Sequence, residues 1–226
     1  MDIKLAYTES GEGYPLILLH GNGENKEYFE NQIEPLSKYF KVIALDTRGH
    51  GDSPRGTAPF SIAQFAEDLK CFFDEHDIKK AHILGFSDGG NIALTFALKY
   101  PEKVDKLILN GANLFPGGVK FSVQLPIVLG YWAASAAALF SKGAVCQKEL
   151  LGLMVKEPHI KPGQLSALDM PVLVIAGKND MIKGEHTRLI AKSISGSRLR
   201  IIEGDHFIAA KESESFNFEI LDFLTE

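Results

Sequence analysis

The sequence predicts an α/β protein built on a doubly wound, mostly parallel sheet, and three observations carry that expectation. Short Val/Ile/Leu-rich runs alternate with longer segments whose apolar residues recur at helical spacing. The short runs are apolar throughout, as expected of strands covered on both faces. One of them, residues 81–84, opens into Gly85-Phe86-Ser87-Asp88-Gly89-Gly90 and then a helical run, a strand-to-helix turn with Gly-x-Ser-x-Gly spacing.

In chain order, residues 3–8 read as a strand, and the turn Glu9-Ser10-Gly11-Glu12-Gly13 leads to the next at 16–19. So short a link points to an antiparallel neighbour. Further strands read at 41–45, 81–84, 106–109, 172–175 and 199–202, with helices near 26–39, 62–76, 89–100, 185–194 and 214–224. In the second helix Ile62, Phe65, Ala66, Leu69, Phe72 and Phe73 share one face, and Ser61 fits an N-cap. Residues 112–162 break the rhythm, placing about fifty residues where short links are usual. Residues 121–141 carry no charge, and 123–140 approach the length of a membrane span. A single crossing would put strands of one sheet on opposite sides of a bilayer, and Gln124, Pro126 and Gly130 weaken it further. No stable membrane insertion is expected.

A chain of 226 residues, 45% hydrophobic, can bury a substantial core, so one domain spanning 1–226 is expected. The net charge of −5 supplies no basic footprint for nucleic acid. Cys71 and Cys146 form neither a metal-ligand pattern nor a disulfide framework. The segment Met1-Asp2-Ile3-Lys4 begins with strand-like alternation and lacks a signal-peptide core, which makes a cytoplasmic location the default expectation.

The chemistry gathers at strand ends. At the 85–90 turn, residues two before and two after the serine must be small, and the start of the next helix adds partial positive charge. A nucleophilic serine needs a base, and the base needs an acid to orient it. Beyond the 172–175 strand lies Gly177-Lys178-Asn179-Asp180, and beyond 199–202 lies Glu203-Gly204-Asp205-His206-Phe207. Asp180 and His206 therefore sit where open α/β sheets meet their ligands. Asp205 competes for the acid role, but adjacent residues of an extended loop point apart, which favours Asp180. Upstream, His20-Gly21-Asn22-Gly23 follows a strand. The N–H groups of Asn22 and Asp88 are the expected oxyanion-hole donors.

With His-Gly-Asn-Gly, Asp46-Thr-Arg-Gly-His-Gly-Asp-Ser53, the serine turn, Gly-Lys-Asn-Asp and Gly-Asp-His-Phe in order, the chain resembles the α/β-hydrolase family over nearly its whole length. The resemblance implies a Ser87-Asp180-His206 triad, an acyl-enzyme route and no metal or organic cofactor. It also implies that 112–162 is a short helical cap over the active site. Much of the uncharged run is expected to be buried against the main domain. Some of Phe121, Leu125, Tyr131, Trp132 and Phe140 are expected to line an apolar pocket above Ser87. An exposed face would instead dock a second subunit, giving a homodimer through the cap, or a lipid surface.

Other residues read as scaffold. His20 and His50 brace loop backbones, while Asp46, Arg48 and Asp52 make an ion-paired turn. His76, His82, His159 and His186 have no metal spacing, although His159 lies in the cap-exit loop within reach of a pocket. Chains of this family mostly carry an uncharged residue after the nucleophile. The acidic Asp88 either caps the following helix or meets a cationic substrate group, as in amino-acid ester hydrolases sharing Ser-Asp-Gly-Gly. The leading expectation is a carboxylic-ester hydrolase for small esters with apolar acyl groups. A second is triad chemistry on a carbon–carbon, thioester or amide bond or in a perhydrolase; a cap without arginine weakly favours neutral substrates. A third is a binding protein on the same scaffold.

Overall fold

A computed structural model describes residues 2–226. Among the described residues, seven strands form one sheet in the order β1-β3-β2-β4-β5-β6-β7. They are β1 (Tyr7–Ser10), β2 (Pro15–Leu19), β3 (Lys41–Leu45), β4 (Ala81–Phe86), β5 (Val104–Asn110), β6 (Val172–Gly177) and β7 (Arg198–Ile202). All neighbours are parallel except β1, which runs antiparallel to β3. The central strands are buried on both faces, one packing into a core with Phe65, Phe73 and Phe96, the other into a core with Phe29, Phe216 and Ile220.

The helices are α1 (Glu30–Ser37), α2 (Ile62–Glu75), α3 (Asp88–Lys99), α4 (Phe121–Ala137), α5 (Lys142–Lys156), α6 (Gly184–Ser193), α7 (Ile208–Lys211) and α8 (Ser213–Thr225). In α2 the six apolar residues of the expected stripe are buried. Ser61 Oγ accepts from the Gln64 N–H at 3.1 Å, a cap worth about 1 kcal/mol. The first expected helix opens instead as a tight 3-10 turn, Lys26–Phe29, before α1.

The amino-terminal hairpin is corrected. β1 begins at Tyr7, and its antiparallel partner is β3 rather than β2. The short link crosses past the start of β3, with Gly11 pressed on that turn. A Cβ there would lie 2.4 Å from the carbonyl oxygens of Ser37 and Phe40. Only glycine, here at φ +78°, permits so close a passage.

Between β5 and β6 the chain runs out through α4 and back through α5. The expectation that the uncharged run is largely buried is also corrected: α4 packs chiefly on α5 and buries only Tyr131 and Ala134. Its opposite face is open to solvent because α5 lies between α4 and the sheet domain. No helix among the described residues is long and apolar enough to cross a membrane.

Candidate active site

Register sets the site. Leu45, Leu19, Gly85, Leu109, Val174 and Leu199 stand side by side across β3, β2, β4, β5, β6 and β7. The parallel strands therefore release their loops at one edge, where His20, Asp46, Ser87, Gly111, Asp180 and His206 follow within a few residues.

Ser87 joins β4 to α3 at φ +53° and ψ −118°, an unfavourable conformation for a residue with a Cβ. Its neighbours explain how the turn closes. A Cβ on Gly85 would lie 2.3 Å from the Gly89 carbonyl oxygen, and one on Gly89 would lie 2.1 Å from that of Leu19. The Ser87 N–H donates to the Asn110 carbonyl at 2.8 Å, tying the turn to the end of β5.

Three side chains meet here. His206 Nε2 lies 3.0 Å from Ser87 Oγ, and His206 Nδ1 lies 2.7 Å from Asp180 Oδ1. Asp180 Oδ1 also accepts from the Ile182 N–H at 2.8 Å, which fixes the carboxylate. A carboxylate at Nδ1 holds the proton on that nitrogen and leaves Nε2 able to accept from a hydroxyl. Asp180 and His206 are both buried. Asp205 turns away, accepting from the Phe207 N–H and Lys211 Nζ at the surface. Gly111, at φ +62°, lies beneath the imidazole, and a Cβ there would come within 2.7 Å of His206 Cε1. The only hint of Gly111 in the sequence is a glycine just past a strand end.

Asn22 and Asp88 are also brought together. Asn22 Nδ2 donates to Asp88 Oδ2 at 2.9 Å and to the Leu150 carbonyl of α5 at 2.9 Å. Asn91 Nδ2 donates to Asp88 Oδ1 at 3.0 Å and to Asn113 Oδ1 at 3.1 Å. Both oxygens of Asp88 are thus engaged by side-chain amides. Burial pushes its carboxyl above the ordinary range, against the pull of those donors. As the first residue of α3, Asp88 has a backbone N–H with no acceptor inside the helix. The Asn91–Asn113 pair was invisible in the sequence, since nothing local marks two distant asparagines as partners.

The first loop is braced from below. His20 Nε2 accepts from the Thr47 N–H at 3.0 Å, so Nδ1 carries the proton and donates to the Gly21 carbonyl at 2.7 Å. Burial, with His50 beside it, lowers the His20 pKa to about 4 and keeps the ring neutral at pH 7. Lys26 bridges Asp46 and Asp52 at 2.7 Å each, and Arg48 is bound by Asp68 and Asp2, so the expected ion-paired turn is present.

Glu24 was not singled out from sequence. Its Oε2 accepts from the Gly21 N–H at 3.1 Å, and burial pushes its carboxyl up to about 7 despite that bond and the nearby His206. A carboxyl at about 7 when folded and 4.5 when unfolded favours the folded state fully below 4.5, and that contribution fades as pH rises through about 7. Glu24→Gln keeps an oxygen for Gly21 and removes the charge. The variant is expected to melt roughly 2–4 °C above wild type near pH 8, with the gap closing near pH 4. A gap independent of pH in calorimetry would refute this.

Of the five residues some of which were expected to line an apolar pocket, four lie open to solvent. Phe121, Leu125, Trp132 and Phe140 are exposed, while Tyr131 packs on Gly152 of α5. Phe121 and Phe140 bracket a 17-residue helix, roughly 25 Å of rise, too far apart to share one small pocket. His159 is exposed at the cap exit.

A parallel sheet with one antiparallel edge strand, a serine on a strained strand-to-helix turn, and an imidazole bonded to it at the same sheet edge together define an α/β hydrolase. The α/β-hydrolase family model matches residues 14–144, over half of the chain, and the chain belongs to that family. It is 30% identical over 243 residues to the serine hydrolase BPHL of Homo sapiens, covering 98% of this chain and 83% of that one. It is 29% identical over 268 residues to 2-hydroxy-6-oxononadienedioate/2-hydroxy-6-oxononatrienedioate hydrolase 1 of Pseudomonas putida, covering 100% and 93%. The enol-lactonase from Burkholderia xenovorans LB400 superposes with a TM-score of 0.84 at 22% identity, covering 99% and 97%, a likeness of fold.

Proposed function

We propose that the protein is a carboxylesterase for small esters, working through an acyl-enzyme on Ser87. The observation that carries this is the single imidazole of His206, held by Asp180 at 2.7 Å on one nitrogen and lying 3.0 Å from Ser87 Oγ on the other. Ser87 Oγ attacks the acyl carbonyl as its proton passes to His206 Nε2. Asp180 holds the tautomer and stabilises the imidazolium. The N–H groups of Asn22 and Asp88 receive the oxyanion, each worth about 3 kcal/mol in comparable sites. His206 then protonates the departing alcohol, and water activated by the same nitrogen releases the acid.

Relatives with the same fold differ in the bond they cleave, so bond type is settled by assay. A panel of p-nitrophenyl esters, thioesters and amides, with Ser87→Ala as blank, is expected to show ester turnover dominant. Dominant turnover of a thioester or amide would replace the ester reading while leaving the triad roles intact.

The environment of Asp88 favours a scaffold role over recognition of a cation. With both oxygens taken by Asn22 and Asn91, its carboxyl ties Asn22 to Asp88, the two proposed oxyanion donors. Asp88→Ala is expected to slow neutral and cationic esters alike, by about tenfold to a hundredfold through loosened donors. A loss confined to amino-acid esters would assign the carboxylate to substrate recognition instead.

A further inference from the structure

We propose that the outer face of α4, together with the tip of the α4–α5 hairpin, docks on an anionic lipid surface. Phe121, Leu125, Leu129 and Trp132 recur along one side of the helix and are 73, 43, 61 and 67% exposed. The chain between them and Ser141 adds mainly alanines. At the tip, Leu139 and Phe140 stand 77 and 91% exposed. A continuous apolar face of this size on a water-soluble surface marks an interaction site.

Charge selects the occupant. The uncharged stretch is bracketed by Lys120 and Lys142, and residues 112–162 hold five lysines against two glutamates in a chain of net charge −5. Neither glutamate offsets them on this face. Glu149 is held by Arg55 of the main domain at 2.5 Å, and Glu157 accepts from the Ile62 N–H at 2.7 Å. None of the five lysines has a carboxylate partner among the described residues. An apolar face bracketed by Lys120 and Lys142, with tryptophan and phenylalanine at its surface, matches the headgroup boundary of an anionic bilayer. A second copy fits poorly. Antiparallel pairing of two such faces would set Lys120 of one copy against Lys142 of the other, with no acid on the face to meet either. At 17 residues α4 lies on the surface rather than across it.

Since α5 is hydrogen-bonded to Asn22, lipid docked on α4 would lie on the outer side of the helix pair that contacts the site. The proposal concerns where the protein works and does not depend on the reaction assigned to Ser87.

Trp132 is the only tryptophan in the chain, so its fluorescence reports directly on this face. Titration of the full chain with phosphatidylglycerol vesicles is expected to shift its emission to the blue, with a much smaller shift on phosphatidylcholine vesicles and reversal by high salt. Lys120→Glu with Lys142→Glu is expected to reduce co-sedimentation with phosphatidylglycerol vesicles at least about tenfold. Hydrolysis of a water-soluble ester and the thermal melt should be unchanged in that variant, separating loss of docking from loss of fold or activity. The proposal is overturned if no shift occurs, or if binding ignores lipid charge and the charge reversal. It is equally overturned if a concentration-dependent dimer produces the shift without lipid, which would assign the face to a second copy.

Discussion

Ser87→Ala is expected to leave a folded protein whose ester turnover has fallen by at least about 10⁴-fold. The substitution removes one oxygen from a turn whose shape is set by Gly85, Gly89 and the Asn110 carbonyl, so the backbone has no cause to move. His206→Ala is expected to cost about as much, because imidazole and hydroxyl act as one unit. The double variant should then be little worse than either single one. Asp180→Asn should also fall steeply, since an amide at Nδ1 permits the tautomer that presents an N–H rather than a lone pair to Ser87. A fluorophosphonate probe gives a second readout, with labelling in wild type and none in Ser87→Ala or His206→Ala. A folded wild type that neither labels nor turns over esters would hand the scaffold to the binding reading.

Asp68→Ala is expected to cost about 3–5 kcal/mol of stability. Arg48 is fully buried, with Nε and Nη2 each 2.7 Å from the two oxygens of Asp68. Asp2 adds bonds at 2.6 and 3.1 Å, and the Arg55 carbonyl a third partner at 3.1 Å. Asp68 holds the Arg48 pKa above its ordinary range, and Arg48 in turn holds the Asp2 carboxyl well below its own. Truncating Asp68 strands a desolvated guanidinium that the partly exposed Asp2 only half compensates. Urea denaturation measures the loss, and Arg48→Met with Asp68→Leu should recover much of it, because replacing a buried pair together costs less than breaking it. A loss below about 1 kcal/mol in Asp68→Ala would mean that water reaches the pair. The consequence extends to the site, since Arg48 anchors the loop in which Thr47 braces His20.

Much of this is legible in the amino-acid sequence alone. The serine turn, the acid and base past later strands, and the glycine-rich loop after the second strand are each specified by a few consecutive residues. Steric rules act at that range: only glycine fits at 85 and 89, and the side chain at 87 must then project from the turn. That Asp180 rather than Asp205 lies against His206 was legible for the same reason, since neighbours on an extended loop face opposite ways. The Asn22–Asp88–Asn91–Asn113 chain and the raised carboxyl of Glu24 were not, because they join residues far apart in sequence or arise from burial that no local pattern encodes.

By itself, then, the sequence determined the strand and helix succession, the turn that presents Ser87, and the order in which Asp180 and His206 follow. Each depends on backbone sterics and apolar periodicity within one element. Only the tertiary structure decided that β1 lies beside β3, that Asp88 is locked between amides, and that α4 turns its apolar side outward. A helix apolar all round has no face marked for burial. Which side meets water is fixed by the surface that arrives to cover the other, and here that surface is chiefly α5.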